Sequence, residues 1–291
     1  MTGETATSYV ELVHTMGTVV TLDVRAASRP AGLAAAFADA EERLHRLDAL
    51  LSTWQDDSWA SRLLRGAVTV AACPSEVRDV VLLAKRLAGA TGGYFSPYWR
   101  GGPALGPVGT ATGPDATGLV KGWAAQRASD VLLAHGLVDH VVNAAGDLVL
   151  SGSPAPGIPG SVPPWRVGIS DPVRPGTFAG VLELVAAPDR WALATSGPAE
   201  RGPHVVDPHT GARPTSIASA TAVARVGEPD VEAGGWSDGC ATALVAAGGR
   251  AAGLLDRLAA DRVRCLLIHA DGRVTDPHRL LRPLDPAGTG R

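Results

Sequence analysis

A short stretch of this sequence combines a carboxylate, a glycine turn and a single lysine just ahead of a predicted amphipathic helix. It reads Asp115-Ala-Thr-Gly-Leu-Val-Lys121. The free N–H groups and the dipole at a helix start favour phosphate and other anions. A glycine-lysine pair before a helix is common, however, and the GxxxxGK[ST] spacing of P-loop proteins is absent. Taken alone, the stretch is a weak indication of a site for phosphate oxygens and a metal.

A second pair of oxygen donors lies downstream, where Asp238 and Thr242 are four residues apart at a predicted helix start. At this spacing both side chains project from one face of a helix. A carboxylate and a hydroxyl are hard ligands that suit Mg²⁺, which keeps open positions for water and substrate phosphates. The alternative interpretation is that Asp238 caps the helix and Thr242 only packs.

Composition excludes several classes of protein. The chain has 291 residues, a net charge of −3 and a pI near 6.2, so it lacks the basic footprint of nucleic-acid binding. Cys73, Cys240 and Cys265 have no CxxC spacing and are predicted to be small buried side chains. We expect no membrane insertion and a cytoplasmic location, since the N-terminus lacks signal-peptide features and no apolar run approaches about 20 residues.

The elements that must position these residues alternate only in part between strands and helices, which favours an α+β fold over a doubly wound sheet. Helices are predicted at about 30–51, from Ser75 to Gly92, at about 119–135 and at about 238–259. In the first of these, apolar residues recur at helical spacing from Leu33 to Leu51, which predicts one buried face. Strands are predicted on both sides of Met16-Gly-Thr18, as a hairpin at 141–150, and at about 165–170, 180–186, 190–194 and 217–225. A strand at 262–269 followed by Asp271-Gly272 predicts a closing hairpin. Gly- and Pro-rich loops are expected at 101–114 and 151–164.

Other segments with distinctive patterns follow one another along the chain. They are His14-Thr-Met-Gly-Thr18, Leu51–Ser58, Asn143-Ala-Ala-Gly-Asp147, Ala192–Gly197 running into His204–Gly211, and Ser237–Ala243. Together they resemble the FAD:protein FMN transferases, the ApbE-like flavin transferases, over roughly residues 10 to 270. The resemblance implies a single ApbE-like, T-fold-like domain at 10–275, with mixed or antiparallel sheets flanked by helices. A flexible tail at 1–9 and a second tail at 276–291 would flank it.

The activity that the resemblance implies is an Mg²⁺-dependent transfer. FAD would be cleaved, FMN would be attached through a phosphoester to a Ser or Thr of a target protein, and AMP would be released. Two alternatives stay open: a pyrophosphatase that converts FAD to FMN and AMP, and a catalytically impaired FAD-binding protein. The acceptor, the choice between Mg²⁺ and Mn²⁺, and the oligomeric state stay open as well.

The resemblance also implies roles for individual residues. Contacts with FAD would come from Met16, Trp54, Asp115, Lys121 and Val206. Trp54 would stack on the flavin, Lys121 would offset the pyrophosphate charge, and Asp115 would hold ribose or orient the turn. Metal ligands would be Gly118 through its carbonyl, Asp238 and Thr242, and the catalytic residues His204, Asp238 and Lys121.

Three of these residues have a structural alternative. Lys121 could be a solvated surface lysine, and Trp54 could be a core residue. His204 could serve only the Asp207–Gly211 turn.

Three positions depart from the family pattern. Relatives usually carry glycine where Ala145 stands, often aspartate where Ser96 stands, and an aromatic residue where Ala199 stands. None of these departures removes an expected metal ligand or phosphate contact. The methyl group of Ala145 could obstruct a close approach of the backbone to a ligand.

Overall fold

The protein, described here from a computed structural model, has three layers. The structure describes residues 6–101, 113–156, 162–198, 202, 204–227 and 232–284. Helices cover one face of an eight-stranded antiparallel sheet, and a three-stranded antiparallel sheet covers part of the other face. The predicted α+β class is confirmed.

The large sheet has the strand order β1-β2-β3-β4-β7-β8-β9-β10, and the small sheet has the order β11-β6-β5. The strands are β1 (Thr7–Thr15), β2 (Thr18–Ala26), β3 (His140–Ala144), β4 (Asp147–Gly152), β5 (Trp165–Ser170), β6 (Phe178–Leu184), β7 (Ala186–Ser196), β8 (Ile217–Val226), β9 (Arg264–His269), β10 (Val274–Thr275) and β11 (Leu281–Arg282). The predicted hairpins around Met16-Gly17, around Ala145-Gly146 and after His269 all form.

The α-helices in the described residues are α1 (Leu33–Leu51), α2 (Trp59–Leu64), α3 (Ser75–Ala90), α4 (Thr117–Ala134), α5 (Ala233–Ala247) and α6 (Ala252–Ala260). The residues at helical spacing in α1, from Leu33 to Leu51, are buried as predicted. Gly136 ends α4 with a left-handed φ of 75°, the conformation that favours glycine after a helix. The short helix α2 is absent from the sequence-based prediction.

Two hydrophobic cores lie on opposite faces of the large sheet. On β9, Cys265 and Leu267 join the core under the helices, whereas Leu266 and Ile268 join the core under the small sheet. This alternation follows from the two-residue period of a strand. The three cysteines are buried and free, as predicted.

Several boundaries differ from the prediction. Helix α5 begins at Ala233 rather than near Asp238, so the prediction that Asp238 lies at a helix start is wrong. Strand β1 begins at Thr7, inside the segment expected to be a tail. Strand β11 pairs with β6 inside the segment expected to be the C-terminal tail.

Helices α4 and α5 approach each other closely through glycines. A Cβ atom at Gly122 would overlap the carbonyl oxygen of Gly234, and one at Gly234 would overlap the carbonyl oxygen of Gly122. The backbone N–H of Gly234 donates to Gln126 Oε1 at 2.8 Å, and that of Gly122 donates to Asp238 Oδ2 at 3.2 Å. The contact therefore fixes α5 against the first half of α4.

The buried histidine of β3 makes stability depend on pH. His140 is fully buried, with Nδ1 2.6 Å from the Leu137 carbonyl oxygen and Nε2 2.7 Å from Ser129 Oγ. The carbonyl can only accept, so Nδ1 carries a proton. Burial lowers the pKa of His140 from 6.5 to about 4, although the Leu137 bond acts in the opposite direction.

We predict that acidification from pH 6.5 to 4 destabilises the fold by about 3 kcal/mol through this residue. The unfolded chain binds a proton in that window and the folded chain does not, so the stability present above pH 6.5 is lost as pH falls toward the folded pKa. Denaturant unfolding at several pH values should give a flatter pH dependence for His140→Gln than for the parent. The exposed His45→Gln should keep the parent slope; equal slopes for the two variants would contradict the prediction.

The β3–β4 turn contains a strained residue. Ala145 has a φ of 53° and Gly146 a φ of 93°, and Ala144 pairs with Asp147 across the turn. Two central residues with positive φ define a type I′ hairpin turn, which favours Asn-Gly or Gly-Gly. Alanine in this conformation costs about 1–2 kcal/mol.

Ala145→Gly should therefore stabilise the protein by about 0.5–1 kcal/mol, because relief of strain exceeds the extra entropy of glycine in the unfolded chain. Chemical denaturation measures this directly. Ala38→Gly, on the exposed face of α1, should instead destabilise by about 1 kcal/mol. A loss of stability for both variants would show that the turn is unstrained.

Candidate active site

One large cavity, of about 880 Å³, lies between the two sheets and reaches the first half of α4. This volume is within the range of about 300–1,000 Å³ that is typical of ligand pockets. Seven of the predicted site residues border it: Asp115, Gly118, Lys121, His204, Val206, Asp238 and Thr242. Residues from β2, β3, β4, β5, β7 and β8 complete its walls.

The carboxylate at the start of α4 organises the helix terminus. Asp115 is 3% exposed, and its Oδ1 accepts from the backbone N–H of Thr117 at 3.0 Å and from Thr117 Oγ1 at 2.7 Å. Its Oδ2 accepts from Arg100 Nε. Asp115 therefore orients the turn, one of the two roles expected for it. Arg100 was not predicted, because nothing local in the sequence links it to Asp115.

Lys121 is held by a buried carboxylate. Its Nζ forms an ion pair with Asp147, whose side chain is 2% exposed at the start of β4. The side chain of Lys121 is itself 23% exposed and borders the cavity. The alternative of a solvated surface lysine is therefore wrong. The Asp147 partner was missed because the two residues meet only in the fold, although both lie in the motifs singled out from the sequence.

Four oxygen donors gather where α5 meets α4 and the end of β7. Thr242 Oγ1 lies 3.4 Å from the Gly118 carbonyl oxygen and 3.2 Å from Ser196 Oγ. Asp238, one turn earlier on α5, borders the same cavity and is 4% exposed. Thr242 is the one residue of α5 that is not buried. Ser196 was not predicted to take part.

The donor chemistry of this group fits Mg²⁺. Ligand oxygens at about 2.1 Å from an octahedral Mg²⁺ are roughly 3 Å apart, close to the two separations at Thr242. A side chain at Gly118 would crowd the group, since a Cβ there would lie 3.4 Å from Thr242 Cγ2 and 3.2 Å from Phe95. No group of three His, Cys, Asp or Glu side chains that could hold a metal occurs among the described residues. The group at Thr242 therefore contains one carboxylate, that of Asp238, and three uncharged oxygens.

The segment around His204 and Val206 is anchored by one buried carboxylate. Asp207 accepts from His209 N at 2.9 Å, from Thr210 Oγ1 at 2.9 Å and from Arg250 Nη2 at 2.7 Å. Burial raises the pKa of Asp207, but these hydrogen bonds outweigh it and hold the pKa below its usual value.

This anchored turn presents two of the predicted residues to the cavity. His204 is exposed on the cavity side, with Nδ1 2.9 Å from the Gly202 carbonyl oxygen, and Val206 is 8% exposed.

Two residues expected to contact the flavin do not border the cavity in the described part of the chain. Trp54 is 95% exposed on the α1–α2 loop, so the alternative of a core tryptophan is wrong. Ser58 Oγ holds this loop through the Ser52 carbonyl. Met16 is half-buried in the β1–β2 turn, where its N–H donates to Asp48 Oδ2 at 3.0 Å.

The positions that depart from the family pattern have different surroundings. Ala145 and Ser96 both border the cavity. Ala199 lies outside the described residues, as does nearly all of the 101–114 loop. Among the described residues, no helix is long and apolar enough to cross a membrane.

Sequence comparison identifies relatives with named activities. The model of the ApbE family matches residues 16–114 and 109–267 of this chain. A FAD:protein FMN transferase of Vibrio cholerae is 28% identical over 105 residues, which cover 33% of this chain and 29% of that protein. The match thus spans less than a third of the length of this curated relative.

Structure comparison finds solved structures that are similar to this protein over nearly the whole chain. The flavin transferase ApbE from Vibrio cholerae has a TM-score of 0.73 at 22% identity, covering 93% of this chain and 96% of its own. The ApbE protein from Thermotoga maritima has a TM-score of 0.74 at 20% identity, with coverages of 95% and 100%. The apo flavinyl transferase ApbE from Pseudomonas stutzeri has a TM-score of 0.72 at 21% identity, with coverages of 95% and 96%.

At these identities the solved structures establish the fold, which is ApbE-like. The family model establishes descent, since it matches well over half of the chain. The chain belongs to the ApbE family.

Proposed function

We propose that this protein is an Mg²⁺-dependent FAD:protein FMN transferase. The observation that carries the proposal is the convergence of Lys121 with the oxygens of Gly118, Asp238 and Thr242 on one cavity. Such a group suits a pyrophosphate and a hard cation together. The family relationship supports the same activity, since a curated relative carries that name.

The proposed reaction is a single exchange at phosphorus. A Ser or Thr hydroxyl of the target protein attacks the FMN-side phosphorus of FAD. The new oxygen–phosphorus bond forms as the bond to the AMP phosphate breaks, and the hydroxyl proton passes to a base. The products are the flavinylated protein and AMP.

The residues of the cavity have distinct proposed roles. Asp238, Thr242 and the Gly118 carbonyl would hold Mg²⁺, which when bound would neutralise negative charge on the pyrophosphate. Lys121, kept in place by Asp147, would lie against the same phosphates. His204, exposed on the cavity side, would accept the proton of the incoming hydroxyl.

The proposed FAD site includes Asp115, Lys121 and Val206 in the cavity wall, with Met16 and Trp54 outside it. Trp54 would stack on the flavin from the α1–α2 loop, which requires a shift of that loop toward the cavity when FAD binds.

The metal assignment predicts that Asp238→Asn abolishes most turnover and leaves the fold intact. The amide oxygen can still accept the Gly122 N–H bond, but Mg²⁺ loses its anionic ligand from α5. AMP release should fall by about 10²-fold or more, and melting temperature should change little. The measurement is AMP release from FAD across an Mg²⁺ titration.

The matched control is Asp256→Asn, an exposed aspartate on α6, which should keep the parent rate. If Asp238→Asn turns over at the parent rate at the same Mg²⁺ concentration, the metal assignment is wrong. Production of AMP and free FMN with no labelled protein would favour the pyrophosphatase. FAD binding with no AMP under any condition would favour a binding protein.

The stacking assignment predicts that Trp54→Ala weakens FAD binding by about 1–2 kcal/mol, the scale of an aromatic contact. Because the indole is 95% exposed, the melting temperature of the unliganded protein should stay within about 1 °C of the parent value. Fluorescence titration with FAD measures the affinity. An unchanged dissociation constant would remove Trp54 from the site.

A further inference from the structure

Among the described residues, the small sheet has one edge with no neighbouring strand, and this edge lies along the cavity. Strand β5 lies at the end of the order β11-β6-β5, and its backbone ladder in the described part of the chain is with β6. Seven consecutive residues, from Trp165 to Asp171, border the cavity. Side chains on a strand alternate between its two faces. A cavity on one face therefore borders every second residue, whereas a cavity along the edge of the strand borders every residue in turn.

The two faces of β5 confirm this orientation. Trp165 and Ile169 are buried in the core between the sheets, whereas Arg166, Gly168 and Ser170 are exposed. Neither set alone could account for all seven lining residues. Backbone N–H and C=O groups of every second residue in β5 therefore point along the edge into the cavity, where they can pair with an added strand.

We infer that this edge is the docking site for the acceptor segment of the target protein, which binds as an added strand beside β5. The inference rests on the proposed transferase function. A hydroxyl must reach phosphorus inside a cavity, which an extended segment can enter and a folded surface cannot. Strand addition supplies main-chain hydrogen bonds for affinity and leaves alternate side chains to give specificity.

The surroundings define the chemistry of that segment. A strand added to β5 continues both faces of the small sheet. Its inward side chains would face Val141 and Leu148 of the large sheet, which are half-buried and also border the cavity. Its outward side chains follow Arg166 and Ser170. The acceptor is therefore an extended, proline-free segment with its Ser or Thr directed inward and small or apolar residues two positions away.

The probe is a pool of ten-residue, proline-free peptides, each with one central threonine, incubated with the protein, FAD and Mg²⁺. Peptides that gain the mass of FMN are isolated, and single N-methyl groups are placed in turn along the best acceptor. Each methyl removes one backbone donor. Strand addition predicts that kcat/KM falls at least tenfold at every second position and less than threefold between them, with the dissociation constant of FAD unchanged.

Losses that do not alternate along the peptide would overturn the docking mode. Release of AMP together with free FMN, with no peptide labelled, would instead overturn the transferase function in favour of the pyrophosphatase. If FAD binds but neither AMP nor labelled peptide forms, the transferase function itself fails.

Hydrogen exchange separates the acceptor from FAD as the occupant of the edge. Alternate amides of residues 165–170 should exchange at least tenfold more slowly once the peptide is added to the FAD-loaded protein. Protection of the same amides by FAD alone would assign the edge to FAD and overturn the inference.

Discussion

The close approach of α4 and α5 at Gly122 and Gly234 is the contact on which the candidate site depends. It brings the backbone of α4 near enough for Asp238 to accept the Gly122 N–H and for Thr242 to reach the Gly118 carbonyl. Any side chain at either glycine would push the helices apart. The oxygen donors would then separate by more than Mg²⁺ tolerates, since that ion demands near-ideal geometry.

Burial of α5 makes this arrangement rigid. Gly235 and Gly239 face Leu83 and Leu87 of α3, one turn apart on each helix. Thr242 is the one residue of α5 left partly accessible, and it lies at the cavity. Displacement of a helix packed in this way would break contacts on several sides at once.

Much of the fold follows from sequence periodicity, because local patterns determine it. The buried stripe of α1 and the three hairpins were predicted from side-chain spacing and turn residues alone. The start of α5 was misplaced because Ala233-Gly-Gly lacks a helix-start signal. Its glycines serve packing against α3 and α4, which the sequence does not reveal.

The candidate site was predictable in its residues but not in their partners. Seven predicted residues share one cavity because the motifs lie at the ends of elements that the fold brings together. The pairings of Lys121 with Asp147 and of Asp115 with Arg100 depend on tertiary contacts between separate segments. Ser196 ends β7, and only the sheet order brings it to Thr242.

The position of a bound metal tests this arrangement most directly. Crystals grown with FAD and Mn²⁺, measured at the manganese absorption edge, would locate the ion from its anomalous scattering. We expect one peak within coordination distance of Asp238, Thr242 and the Gly118 carbonyl, with pyrophosphate oxygens of FAD completing the shell beside Lys121. A metal bound elsewhere, or a pyrophosphate remote from α4 and α5, would contradict it.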